Sequence, residues 1–215
     1  MSEGSQISDL VILVPDKNIE FAVRGLLSRP ESMGIRRPSY AIYAHPERDP
    51  GCRLRADDFL SVFAKQFSHA LVIFDLEGSG GQDQGRKALE EDMEGRLARK
   101  GWTDCAAIVI DPELEIWVWS DSPEVDSVLG WTGRNPSLRE WLRDRNLLAD
   151  DAVKPLRPKE AMEACLRESG RKRSSSIYEE LASRVSFNRC TDPAFEKLKS
   201  ILQTWFGASI DKEIA

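Results

Sequence analysis

The sequence predicts an α/β fold: a mainly parallel, Rossmann-like sheet flanked by helices, with a helical C-terminal part. Short apolar runs recur through the first two thirds of the chain, and segments of helical periodicity separate them. The runs are apolar throughout rather than alternating, which is the pattern of strands covered on both faces.

Each element follows in order. "LVILV" (10–14) is the first strand, and "NIEFAVRGLLS" after it carries Ile19, Ala22, Val23, Leu26 and Leu27 at helical spacing, with Asn18 as candidate cap. "YAIYA" (40–44) is the second strand, and "HPERDPGC" (45–52) is a polar loop at its exit. "ADDFLSVFAKQF" is an amphipathic helix with Phe59, Leu60, Phe63 and Phe67 on one face. "ALVIF" (70–74) is the third strand, "GRKALEEDMEGRLARKG" a helix closed by Gly101, and "CAAIVI" (105–110) the fourth strand. "ELEIWVWSD" alternates like a strand, yet Asp111-Pro112 is also a helix start. Beyond it, "PSLREWLRDRNLL", "RPKEAMEACLRESG", "SSIYEELASRV" and "DPAFEKLKSILQTWF" read as four short helices. The boundary therefore falls between an α/β core at 8–122 and a helical extension at 123–210 packed on it.

Composition narrows the class. A chain of 215 residues, 41% hydrophobic and 31% charged, suits one globular domain, or one with an appendage. No run approaches the roughly 18 apolar residues of a membrane span, and the polar, acidic "MSEGSQISD" is unlike a signal peptide. Cys52, Cys105, Cys165 and Cys190 are scattered without a CxxC pair. With only two histidines, that fits reduced thiols in a cytoplasmic protein better than a zinc site. No P-loop, GxSxG or GxGxxG supports ATP hydrolysis or acyl transfer. Net charge is −6, but residues 154–199 hold eleven Lys/Arg against seven Asp/Glu, leaving −10 on the rest. An acidic body with a basic appendage fits a metal site beside a phosphate-binding surface, and also a solvated helix.

Three acidic groups fall just past strands: Asp16 and Glu20 after the first, Asp75 and Glu77 after the third, Glu113 and Glu115 after the fourth. In an open parallel sheet those ends face one crevice, where ligands bind. Oxygen donors without cysteine or histidine suit Mg²⁺ or Mn²⁺, and such an ion can bridge phosphate oxygens in phosphodiester cleavage. Each pair also has a structural role open to it: Asp16 can begin a turn with Pro15, Glu20 can favour a helix dipole, Asp75-Leu76-Glu77 can be a loop, and Glu113 and Glu115 can sit on a solvated helix start. His45, Arg48 and Asp49 could touch a phosphate or supply a proton. Lys159, Arg171, Lys172 and Arg173 could grip a nucleic-acid backbone, although "RKR" also reads as a solvated joint.

The segments "LVPDKNIE", "FDLEG" and "DPELEIW" resemble the acidic motifs of TOPRIM-type proteins, especially the small RloB-like and OLD-nuclease-like members of bacterial defence islands. "RPKEAMEACL" and "DPAFEKL" are similar to the small RloB-like members as well, so the resemblance spans roughly residues 10–200. It implies a TOPRIM-like core and a Mg²⁺- or Mn²⁺-dependent nuclease or phosphodiesterase acting on DNA or RNA in antiphage defence with protein partners. Asp75, Glu77, Glu115 and Glu113 would hold metal, and Asp16 or Glu20 would complete the site or handle protons. It also implies that 113–121 is helical. The chain departs from the family in having Pro15-Asp16-Lys17 where Glu-Gly is usual, and Glu77 as the second acid of the DxD pair. Metal binding carries over better than catalysis. The alternative is a non-catalytic TOPRIM-like subunit that docks on a larger complex or binds nucleic acid.

Overall fold

The computed structural model describes residues 7–120, 122–187 and 190–207. Strands and helices alternate as β1 (Ser8–Val14), α1 (Lys17–Leu27), α2 (Pro30–Met33), β2 (Tyr40–Ala44), α3 (Arg48–Ser61), β3 (Phe67–Asp75), α4 (Arg86–Arg99) and β4 (Asp104–Ile110). Among the described residues six helices follow: α5 (Glu115–Val118), α6 (Pro123–Val128), α7 (Leu138–Asp144), α8 (Pro158–Ser169), α9 (Ser176–Arg184) and α10 (Pro193–Phe206). The four strands are all parallel, in the order β2-β1-β3-β4.

Successive strand residues point to opposite faces, and here both faces are buried. Leu10, Ile12, Ile73 and Ile108 share one core with α1 and the C-terminal helices, including Leu166, Tyr178 and Phe195. Val11, Leu13, Val72, Phe74 and Val109 pack on the other side against Leu60 of α3 and Met93 of α4. The C-terminal helices are thus one of the sheet's two covering layers, with α9 lying along α1. Residues 188, 189 and 208–210 of the expected extension lie outside the described residues.

Three local expectations are corrected. Asp16, not Asn18, caps α1: its extended backbone lets Oδ1 accept the N–H groups of Asn18 (2.8 Å) and Ile19 (3.3 Å). The polar stretch 45–52 is not all loop, because α3 begins at Arg48. Pro50 is accommodated in its first turn, where a missing N–H leaves no hydrogen bond unmade. Gly51 is required there, since a Cβ would stand 2.0 Å from His45 Nδ1. The helix then stops at Ser61, and Phe67 already belongs to β3. Phe63 and Phe67 still meet edge to face, and Phe59 and Phe63 line up beneath Tyr43. The helix that the resemblance implies after β4 is present as a single turn, α5, despite the alternating pattern of the segment. Trp117 Nε1 donates to Asp192, and Trp119 Nε1, just past the turn, donates to the Pro158 carbonyl.

The β4 edge is sealed by side chains. Glu94 accepts the Ala107 N–H (3.0 Å) and buried Glu90 the Val109 N–H (3.0 Å). Lys197 of α10 reaches both carboxylates, at 2.7 Å and 3.2 Å, and Arg86 grips Glu90 at 2.9 Å. Glu90→Ala should lower unfolding free energy by about 2–3 kcal/mol, because a buried N–H and cationic groups lose their acceptor. Urea unfolding of that variant beside Glu90→Gln, which keeps an acceptor, measures the effect and should show the smaller loss for glutamine.

Candidate functional site

The strand order reverses between β1 and β3, and at such a switch point the two following connections part to opposite faces and leave a crevice. Asp16 stands at the end of β1, Asp75 is the last residue of β3, and Glu113 and Glu115 follow β4. The first turn of α3 brings Asp49 over the same rim. They open onto a cavity of about 230 Å³ that Asn18, Arg48, Glu77, Lys159 and Arg173 also line. Six carboxylates and three cations thus share one pocket, leaving three more negative than positive groups if all ionise.

Asp75 is the centre of this arrangement. Its Oδ1 is closed off from solvent and has no hydrogen-bond partner among the described residues. Its backbone N–H donates to Asp49 Oδ1 at 2.9 Å. Burial, followed by the charges of Asp49, Glu115, Glu113 and Asp16, holds its carboxyl well above the usual carboxylate range. Burial also raises Asp49, against the hydrogen bond it accepts from Asp75. Glu115 is raised by burial too, although Tyr178 donates its hydroxyl to Oε1 (2.5 Å) and Arg173 lies 3.2 Å away. Glu113 accepts from Lys159 Nζ at 2.8 Å. Burial works against the Lys159 charge, but that carboxylate outweighs it and raises the ammonium pKa.

The remaining expected residues divide clearly. Glu77 is exposed at the pocket mouth. Asp16 is committed to capping α1 and pairs with Arg48 at 3.1 Å. Glu20 is not brought to the site: it faces Arg24 one turn along α1, at 2.7 Å. Arg171 pairs with Glu180 of α9 and lies away from the pocket lining, and Lys172 is exposed between α8 and α9. His45 is also outside the pocket; it is buried against Phe59 and accepts the Glu47 N–H, and burial lowers its pKa. His69 is held at the Asp9 carbonyl between Trp205 and Phe206.

Among the described residues no three acid, histidine or cysteine side chains stand together as a ready-made metal-binding group. Glu113 and Glu115 are turned toward Lys159, Arg173 and Tyr178, and Asp16 toward backbone N–H groups. The donor chemistry and the orphaned Asp75 oxygen fit a hard divalent cation; the side-chain arrangement fits it only after those carboxylates turn inward. Two contacts at the site were not read from sequence. Asp49 was a candidate phosphate or proton group, but its bond to the Asp75 N–H was not foreseen, and Tyr178 lies 63 positions from Glu115, beyond any local pattern. Comparison with protein-family models, curated proteins and solved structures returned no match.

A carboxyl whose pKa is higher in the folded chain binds its proton more tightly there. It favours folding below its ordinary value of 3.8 and loses that contribution as pH rises through the folded value. In metal-free buffer Asp75→Asn should therefore melt above the parent at pH 8, and the gap should close as pH falls toward 4. Thermal unfolding followed by circular dichroism across that range checks both ends.

Proposed function

We propose that this chain is a TOPRIM-like, Mg²⁺- or Mn²⁺-dependent phosphodiesterase, a nuclease for DNA or RNA that works in the bacterial cytoplasm within an antiphage defence system and its protein partners. The observation that carries the metal-dependent reading is Asp75: a shielded carboxylate oxygen without a partner, ringed by further carboxylates at a sheet switch point. The resemblance of "LVPDKNIE", "FDLEG" and "DPELEIW" to TOPRIM motifs supports the family and the defence role. Four free cysteines and the absence, among the described residues, of a helix long and apolar enough to cross a membrane are compatible with that location.

Asp75, Glu77, Glu113 and Glu115 would hold the ion, which when bound neutralises charge on phosphodiester oxygens. The protein's own groups do the rest. Asp49, raised by burial and open to the pocket, can hold or accept a proton beside Asp75. Arg48, Lys159 and Arg173 line the same cavity and can meet a backbone phosphate. Asp16 keeps the α1 N-terminus and Arg48 in place.

One observation favours a second reading. Glu113 and Glu115 are already balanced by Lys159, Arg173 and Tyr178, as they would be in a non-catalytic subunit that docks on a larger complex or binds nucleic acid. Metal binding and turnover separate the two. Under the first reading Asp75→Asn loses Mg²⁺- or Mn²⁺-dependent cleavage of DNA or RNA while keeping its fold. An ion that binds only the folded state stabilises it by about 2.7 kcal/mol at a hundredfold excess over Kd. That corresponds to roughly 2–4 °C per kcal/mol at this chain length. Mn²⁺ at matched ionic strength should raise the parent's melting temperature by several degrees and that of Asp75→Asn/Glu77→Gln far less. Equal shifts, with no cleavage by the parent, would favour the non-catalytic subunit.

A further inference from the structure

The two sheet edges are treated in opposite ways. On β4 the outward N–H groups of Ala107 and Val109 are taken up by Glu94 and Glu90, under Lys197. On β2 nothing comparable is present among the described residues. The Leu10 N–H bonds the Ser39 carbonyl and the His45 N–H bonds the Val14 carbonyl, so the odd-numbered residues of this strand face β1. Tyr40, Ile42 and Ala44 therefore direct their N–H and C=O groups outward. The strand carries no charge, proline or bulge, the usual devices that blunt an edge.

From this we infer that β2 is a self-association edge, pairing antiparallel with β2 of a second copy about a two-fold axis at Ile42. This rests on the sheet alone and is independent of the acidic pocket. With that axis Ile42 faces its own copy, Tyr40 faces Ala44, and Ala41 faces Tyr43. A large side chain meets a small one in both unlike pairs, on both faces of the sheet. The three outward N–H groups of each strand meet the three outward carbonyls of the other, so no edge group is left unpaired. Ends match as well: exposed Arg37 before the strand lies toward exposed Glu47 after it in the partner, where Arg55 is its present neighbour. Such an isologous contact closes on itself and yields a dimer with one continuous eight-stranded sheet, not a filament.

Analytical ultracentrifugation of the full chain at micromolar concentration tests this, with twice the 24.2 kDa of one chain as the expected mass. Ala44→Pro removes an outward N–H that makes no bond among the described residues. Tyr40→Lys places a charge at a residue already 36% exposed. Each should weaken dimerisation by about tenfold or more while the circular dichroism spectrum stays that of the parent; if Ala44→Pro does not fold, Tyr40→Lys decides alone. A parent that stays monomeric, or a dimer that survives the folded variants unchanged, overturns the proposal. A monomer whose β2 edge instead takes up an extended peptide of another protein overturns it too.

Discussion

All four strands run parallel, and that constraint organises everything else in this chain. Parallel pairing puts every strand's carboxyl end on one rim, so residues 16, 49, 75, 113 and 115, far apart in sequence, meet around one hole. It also forbids short hairpin connections, since each crossover must return along a face of the sheet. The helices that result bury both faces, and the apolar strand runs are the sequence consequence. Concentrated negative charge at the rim follows from topology as much as from composition.

The C-terminal layer answers that charge. Lys159 from the first turn of α8, Arg173 from the segment before α9 and Tyr178 from α9 all reach carboxylates that follow β4. These helices cover one face of the sheet and supply positive or hydrogen-bonding groups to its rim. Burial of Glu113 and Glu115 would be costly without them, because an ionised carboxylate shut away from water needs a partner. Glu90 and Glu94 solve a related problem at the β4 edge, where carboxylates serve as backbone acceptors under Lys197.

Much of the framework was legible because it is written in short-range patterns. "YAIYA" became a strand with the expected ends, and the C-terminal apolar periodicities became α7 to α10. The presence of Asp75, Glu113 and Glu115 at one rim was legible from their positions after strands. What escaped depends on distance or on competition between local signals. Glu20 stands four residues after Asp16 as the motif asks, but Arg24, one turn further along α1, takes up its carboxylate. Asp16 rather than Asn18 caps α1 because the cap must be extended, a backbone fact that residue type alone does not carry. The polar start of α3 hid a helix because 45–52 reads as a loop until His45 is seen packed against Gly51.

Glu115 shares its single helical turn with Trp117, whose indole N–H is fixed on Asp192, the N-cap of α10. The carboxylate at the pocket and an aromatic chromophore beside the core are therefore carried by the same short helical turn. A ligand that displaces this turn as it draws Glu115 inward would also disturb the indole's hydrogen bond and its packing on Phe195. Such a displacement would carry an intrinsic optical signal, readable as a change in tryptophan emission without any attached label.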